Sequence, residues 1–467
     1  MLRAAIAVAC TTFVVVNACA LGRFSCEDDD QCAADGVDGI CEPTGACSFP
    51  DDACPSGRRY GDHGRSDLAG MCVDDGGTDT SGSTSATTTS ATTTATTATT
   101  IATSLDVESS AGVTTDDTAA SSEGPRVCPP GWWDCAWTRR VAISLDVANP
   151  KPLGDVPVLV RLDATRIDFD AAQDDGDDLR FVQGGVALPH ELEQWNAGES
   201  AIAWVELATP AVGDLALYHG NPDAPAADDA AAIWPDPFAA VWHMSGGTFD
   251  STANANDGIA TDGVLESPGF LANAADLGAV DQRIDVAAAS SLDDVMLEGG
   301  TISAWILLRT FGGTGRGRIA DNTDGSAPGW MFYPSADGNT SLRYRQGYPG
   351  GQVIWTGPGN TFDFMQWYHV AVTFDALQDQ QPRLYVDGIE QQVAVSQGVV
   401  LGDALSDAGH PIVIGNSEVP DRWFDGLIDE LRIERTVRTP EWIALQVQSM
   451  RDELLGYGAI ERLEDLQ

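Results

Sequence analysis

A chain of 467 residues with 70 acidic and 25 basic side chains carries a formal net charge of −45. Such a surface repels phosphate backbones, which argues against nucleic acid as a partner. It suits solubility and divalent cations, and most of it reads as a solvated acidic exterior with no specific ligand.

The N-terminus reads as a targeting segment, residues 1–20. Met1-Leu2-Arg3 supplies a positive charge and Ala4 to Val16 a short apolar run, too short for a comfortable transmembrane helix. Val16-Asn17-Ala18-Cys19 resembles a bacterial lipobox, which implies acylation of Cys19. The alternative is cleavage after Ala18-Cys19-Ala20 and a secreted product. The expected location is the outer membrane or cell surface, with membrane contact only through the lipid anchor.

Residues 21–73 hold Cys26, Cys32, Cys41, Cys47, Cys54 and Cys72 in a Gly/Asp-rich stretch. Export together with an even cysteine set predicts disulfides, since so short a segment cannot bury enough core to fold unaided. A metal site is the weaker reading: there is no Cys-x-x-Cys pair, and the nearby histidine is His63. Several pairings are open; an EGF-like order, Cys26–Cys41, Cys32–Cys47 and Cys54–Cys72, is the expectation. The run Cys47 to Tyr60 resembles small cysteine-rich modules on surface proteins of myxobacteria. Residues 74–127 are dominated by Thr, Ser and Ala, a composition that cannot offset chain entropy by apolar burial, so a disordered or glycosylated stalk is expected. A coil of about 50 residues spans about 40 Å.

A β-rich domain is expected over 128–223. Cys128 and Cys135 flank Pro129-Pro130-Gly131-Trp132-Trp133-Asp134 and predict a local disulfide. Strand candidates follow at 139–147, 156–162, 179–182, 202–207 and 215–219. Trp137-Thr138-Arg139-Arg140, Asp177 to Phe181, Leu188 to Trp195 and Leu217 to Pro222 resemble an uncharacterised bacterial domain that often precedes laminin-G-like jelly rolls. Glu191 and Glu193 share one strand face with His190 opposite; an exposed polar face is expected there, with no catalysis.

After an Ala/Asp linker at 224–233, which suggests a short helix, residues 235–450 are patterned as strands. Thr301–Ile306, Trp367–Asp375, Arg383–Gly388 and Pro411–Asn416 alternate apolar residues with period two. Asp387-Gly388 signals a tight hairpin. Thr439 as N-cap with Pro440 and Glu441 behind it predicts a helix. Ala240 to Met244, Asp250 to Gly258, Leu384 to Gly388 and Phe424 to Ile433 resemble, in that order, a bacterial laminin-G-like, concanavalin A-like (lectin/glucanase) jelly roll. The fold class expected is therefore all-β, an antiparallel β-sandwich with a second, smaller β-rich domain. Residues 451–467 read as a C-terminal tail.

The resemblance implies structural calcium, carried onto Asp250, Asn256 and Asp429 with Gly258 as a carbonyl donor; side-chain-capped turns are the competing reading. Trp330, Tyr333, Tyr344, Tyr348, Trp355 and Trp423 lie in or beside Gly-rich loops, where aromatics stack on sugar rings, and Arg343 and Arg345 suit a carboxylated sugar. Core packing competes for each aromatic. Trp330, Arg343, Arg345, Tyr348, Trp355 and Trp423 are the ligand-binding candidates. A laminarinase-type Glu-x-Asp-x-x-Glu strand is absent: Leu427 stands where its first Glu belongs, and Glu430 and Glu434 are four apart. The expectation is non-catalytic recognition of a glycan or cell-surface protein. A divergent glycosidase and a structural envelope component are the alternatives.

Overall fold

In the computed structural model the described residues are 128–466, less 146–155, 208–214, 262, 324–327, 338–339 and 419–420, together with 32–34, 37–41, 47–50, 54, 58–60 and 73. The targeting segment, Cys19 and the 74–127 stalk lie outside them. Among the described residues no helix is long and apolar enough to cross a membrane. The chain forms two compact units, Met1–Pro125 and Arg126–Gln467.

In the first unit Cys47–Pro50 pairs with Ile40–Cys41 on one side and Arg58–Tyr60 on the other. Cys32 and Cys47 are bonded, as expected, with Cα atoms 5.4 Å apart. Cys41 and Cys54 are also in disulfides; Cys26 and Cys72 lie outside the described residues. The buried cluster here is little more than Cys32 and Cys47 with Cys41 and Phe49 against them. Covalent closure supplies the order that so little apolar burial cannot.

The second unit starts at the Cys128–Cys135 disulfide. Trp132, Trp137 and Tyr218 pack around it, and the Trp137 indole donates to the Asp178 carbonyl at 2.7 Å. Two antiparallel sheets follow. In one, Ser200–Leu207 lies between His190–Asn196 and Val156–Asp163. The other runs Leu455–Arg462, Arg139–Leu145, Leu215–His219, Arg180–Gln183, Val186–Leu188. Its first strand corrects the sequence reading: residues 451–467 are not a free tail. Leu455–Arg462 pairs with Arg139–Leu145 from Leu455↔Leu145 to Arg462↔Arg139. Leu455, Tyr457 and Ile460 anchor it on the core.

The jelly roll between these ends consists of two eight-stranded sheets. The first is centred on Gly426–Glu434, which pairs along one edge with Gly300–Leu308 and along the other with Asn273–Leu277 and Phe238–Trp242. The second runs through Arg283–Val286, Ile412–Ile414, Ala320–Asp321, Trp330–Ser335, Ser341–Tyr348 and Gly351–Thr356. Asp387 (φ 51°) and Gly388 (φ 78°) form the expected tight turn between Arg383–Val386 and Ile389–Gln391. The helix Pro440–Met450 is capped as predicted, Thr439 Oγ1 accepting from the Trp442 amide at 3.2 Å.

The outer face of the first jelly-roll sheet is covered. Val241, Trp305, Ala371 and Tyr385 share one continuous core with Leu159, Trp204 and Val205 of the N-terminal β-rich part and with Trp442, Ile443 and Met450 of the helix. Gln446 Nε2 donates to the Pro157 carbonyl at 2.8 Å, and the Leu159 amide to Ser449 Oγ at 2.8 Å. Burying an indole such as Trp204 or Trp305 contributes about 5 kcal/mol of transfer free energy before entropy is counted. The linker at 224–234 is thus a joint in sequence across which packing continues.

Candidate functional site

Polar chemistry concentrates in two places: the seam between the two β-rich parts, and one rim of the second jelly-roll sheet. At the seam two β-bulges face each other. Glu193 is the extra residue where pairing skips from Leu192 to Gln194. On the Gly426–Glu434 strand, pairing skips between Trp305↔Asp429 and Ser303↔Arg432, and Glu430 sits at φ 51°. A left-handed glutamate costs about 1–2 kcal/mol, and a bulge re-aims its side chain. Both carboxylates converge on His243, which directly follows Phe238–Trp242.

His243 Nδ1 lies 2.6 Å from Glu430 Oε1 and 3.7 Å from Glu193 Oε2, and its Nε2 lies 3.1 Å from Glu191 Oε2. Arg432 Nη2 donates to Glu430 Oε2 at 2.5 Å and Nη1 to Gln446 Oε1 at 3.1 Å. Its guanidinium lies over Trp204 and Trp234, 4.4 and 4.6 Å from their centroids. Trp204 Nε1 donates to Glu193 Oε2 at 2.8 Å, Trp234 Nε1 to Glu191, and Ser251 Oγ to Glu191 Oε1 at 2.7 Å. The expected exposed face at Glu191 and Glu193 is therefore a correction: both are buried, because the jelly roll packs onto that strand.

Burial pushes Glu193 up to about 7, aided by the nearby Glu430 charge. Burial alone would lower His243, but Glu430, Glu191 and Glu193 outweigh it and hold the imidazole well above its usual range. Burial would likewise raise Glu191 and Glu430; the His243 charge, joined at Glu430 by Arg432, lowers both instead. Asp429, buried beside Glu430, is raised well above the carboxylate range. The His243 and Arg432 cations thus stand against the Glu191 and Glu430 anions at the seam, with Glu193 raised toward neutrality. One atom each of Glu193, His243 and Glu430 also lie within 4.8 Å of one another, a spacing that could hold a metal ion.

The acids of a glucanase-type reading are engaged elsewhere: Glu430 by His243 and Arg432, and Glu434 by Arg438. Of the calcium candidates, Asp250 takes hydrogen bonds from the Val241, Thr252 and Asn256 amides and from Thr252 Oγ1. Asn256 bonds Ala239 and Ser291, Gly258 enters a strand, and Asp429 Oδ2 accepts from the Phe270 and Leu271 amides. Asp250 and Asp429 are held by different partners, and the bonds around Asp250 have the pattern of a side-chain-capped turn.

The glycan candidates divide by strand alternation. Trp330, Tyr348 and Trp355, with Tyr344, point into the jelly-roll core and are 0–2 % exposed. For these three the expectation of a stacking platform is corrected to core packing. Arg343 and Arg345 lie on the opposite face of the same sheet. Arg345 Nη1 donates to the Pro328 and Gly329 carbonyls at 3.0 and 2.9 Å; Arg343 Nη2 donates to the Asp337 carbonyl at 2.7 Å. Trp423 is half-buried beside the Gly-rich loop 312–317, where a side chain on Gly313 would meet its ring at 2.7 Å.

Three arginines not singled out from the sequence join them. Arg316 pairs with Asp337 at 2.5 Å, and Arg343 approaches the same carboxylate at 3.6 Å. Arg318 stacks on Tyr333 at 4.2 Å and pairs with Asp321 at 3.1 Å. Arg422, paired with Asp421 at 2.5 Å, sits close enough for its charge to lower Arg318, whose main depressor is burial. The loop and the 421–424 segment are joined by Gly313 N to Trp423 O and Arg318 N to Arg422 O, both 2.9 Å. Five guanidinium groups gather on this rim, in a chain whose net charge is −45.

Residues 279–444 match the Concanavalin A-like lectin/glucanases superfamily. Residues 175–256 match a domain of unknown function, DUF2341. Among solved structures the chain is similar to domain 4 of an extracellular arabinanase from Geobacillus stearothermophilus in complex with arabinotriose, at 22 % identity and a TM-score of 0.35, covering 45 % of this chain and 98 % of that one. It is also similar to the binding domain of botulinum neurotoxin DC in complex with rat synaptotagmin II, at 14 % identity and a TM-score of 0.37. The binding domain of Paraclostridial mosquitocidal protein 1 matches at 17 % and 0.37. Each covers 46 % of this chain, which in turn spans only about half, 52 %, of either toxin domain. No curated protein matches the chain.

Proposed function

We propose that this is an exported surface protein whose jelly roll binds, without catalysis, a carboxylate-bearing ligand, an acidic glycan or an acidic segment of a surface protein. The observation that carries the reading is the convergence of Arg316, Arg318, Arg343, Arg345 and Arg422 on one rim. Arginine forks carboxylates bidentately, and arginines gathered on a strongly acidic molecule, paired with half-exposed carboxylates, can exchange those partners for a ligand's. Arg316 and Arg422 are the reachable members, with side chains 43 % and 25 % exposed, and Trp423 offers a ring face beside them. Arg318, Arg343 and Arg345 lie behind and set the local potential. The lipid anchor at Cys19 and the 74–127 stalk would hold this head clear of the membrane. The reading requires no calcium.

The test is binding of uronate- or sialate-bearing oligosaccharides and their neutral counterparts at low ionic strength. Carboxylated probes are expected to bind, and Arg316→Gln with Arg422→Gln to weaken them at least about tenfold, as the loss of charge-assisted bonds requires. Equal binding of neutral probes, or turnover of any probe, would overturn the reading.

A further inference from the structure

The seam cluster holds one ligating atom that its hydrogen bonds do not use, beside two that are spent on each other. Each of three side chains is fixed through one polar atom by a neighbour outside the trio. His243 is held at Nε2 by Glu191 and Glu430 at Oε2 by Arg432, and their remaining atoms, Nδ1 and Oε1, share a 2.6 Å hydrogen bond that an ion would replace. Glu193 is held at Oε2 by the Trp204 indole, while its Oε1 is buried without a hydrogen-bond partner, on a side chain 2 % exposed. An orphaned carboxylate oxygen at such depth forfeits hydration with no return unless something else binds there.

We propose that Glu193, His243 and Glu430 form a site for a divalent transition ion of the Zn²⁺ class, fastening the two β-rich parts together. One imidazole nitrogen and two carboxylate oxygens are a donor set such ions accept. Two ligands on a tetrahedral ion stand about 3.4 Å apart. His243 Nδ1 is 2.6 Å from Glu430 Oε1 and 3.7 Å from Glu193 Oε2, so the first pair must part by about an ångström to admit the ion, with the Glu193 carboxylate already beside it. The outer partners are those a metal site needs. Glu191 on the far imidazole nitrogen fixes its tautomer, as carboxylate–histidine–metal triads do, and Trp204 and Arg432 orient the two ligating carboxylates. Charge closes as well: a divalent ion with Arg432 offsets Glu191, Glu193 and Glu430, with His243 neutral. Glu193 comes from the N-terminal β-rich part, His243 directly follows the first strand of the jelly roll and Glu430 lies in Gly426–Glu434, so a bound ion ties segments far apart in sequence.

The experiment uses the full chain, stripped of metal and titrated separately with Zn²⁺ and with Co²⁺, read by metal content after dialysis, Co²⁺ visible absorption and thermal melting. The expected result is ~1 ion per chain and a melting temperature raised by the ion. Glu193→Gln keeps an acceptor for the Trp204 indole; it should preserve near-ultraviolet circular dichroism and weaken metal binding at least about tenfold. Two results would overturn the site: a stripped chain that retains neither ion and melts at the same temperature with and without it, or a Glu193→Gln chain that binds as tightly as the parent. If Glu193→Gln is too unstable to purify, the Co²⁺ spectrum of the parent chain decides, since absence of imidazole and carboxylate ligation there contradicts the assignment.

Discussion

The seam and the rim use the same groups, arginines laid on aromatic rings and paired with carboxylates, and differ in their access to water. At the seam Arg432 is 2 % exposed between Trp204 and Trp234, and its partner Glu430 is fully enclosed. At the rim Arg316 and Asp337 are both nearly half exposed. A buried pair is committed: removing one partner strands a charge in low dielectric, and a bulky ligand cannot reach it. A half-hydrated pair is worth little to stability and exchanges its partner readily. The seam chemistry therefore belongs to assembly, and the rim chemistry is available for recognition.

Removing Arg432 breaks the comparison at its strongest point. Arg432→Met should destabilise the fold by about 3–5 kcal/mol in denaturant unfolding, because Glu430 loses one of its two cationic partners and stays buried; Arg422→Gln should cost under about 1 kcal/mol. A similar loss for both would erase the distinction. Trp204→Ala opens the shared core and should also cost about 3–5 kcal/mol. Because that core is continuous, the N-terminal β-rich part and the jelly roll should unfold in one transition rather than two. Two separate calorimetric peaks would contradict it.

Acid should weaken the packed interior before it touches the rim. Burial holds His219 down to about 4, and burial with the Arg432 charge holds His369 down to about 3, so both are neutral in the folded protein. The unfolded chain takes up these protons below about 6.5, so stability falls as pH drops from there toward about 4. His219→Gln should flatten that slope. The smallest expected effect is at the helix start: Thr439→Ala should cost about 1 kcal/mol through loss of its bond to the Trp442 amide.

The jelly-roll strands, the Asp387-Gly388 turn, the Thr439 cap and the Cys128–Cys135 pair were legible because each is encoded locally, whereas Cys32–Cys47 followed from an EGF-like order among several open pairings. The Leu455–Arg462 strand was not, since its partner lies more than 300 residues upstream and its own alternation is short. Trp330, Tyr348 and Trp355 looked available beside Gly-rich loops; only the register of Ser341–Tyr348 shows that the arginines face outward and the aromatics inward. The seam was hidden for the same reason. Glu191, Glu193, His243 and Glu430 are unremarkable singly, and two bulges that no sequence period announces bring them together. The available signal was the placement of charges within otherwise apolar strands, as in Ile428-Asp429-Glu430-Leu431-Arg432-Ile433.

The most direct test of the account compares binding of one carboxylated oligosaccharide by the parent chain, the Arg316→Gln/Arg422→Gln rim variant and the Glu193→Gln seam variant, side by side at low salt. The account predicts a loss of at least about tenfold for the rim variant and parental affinity for the seam variant. Binding that survives the rim substitutions, or falls with the seam substitution alone, would contradict it.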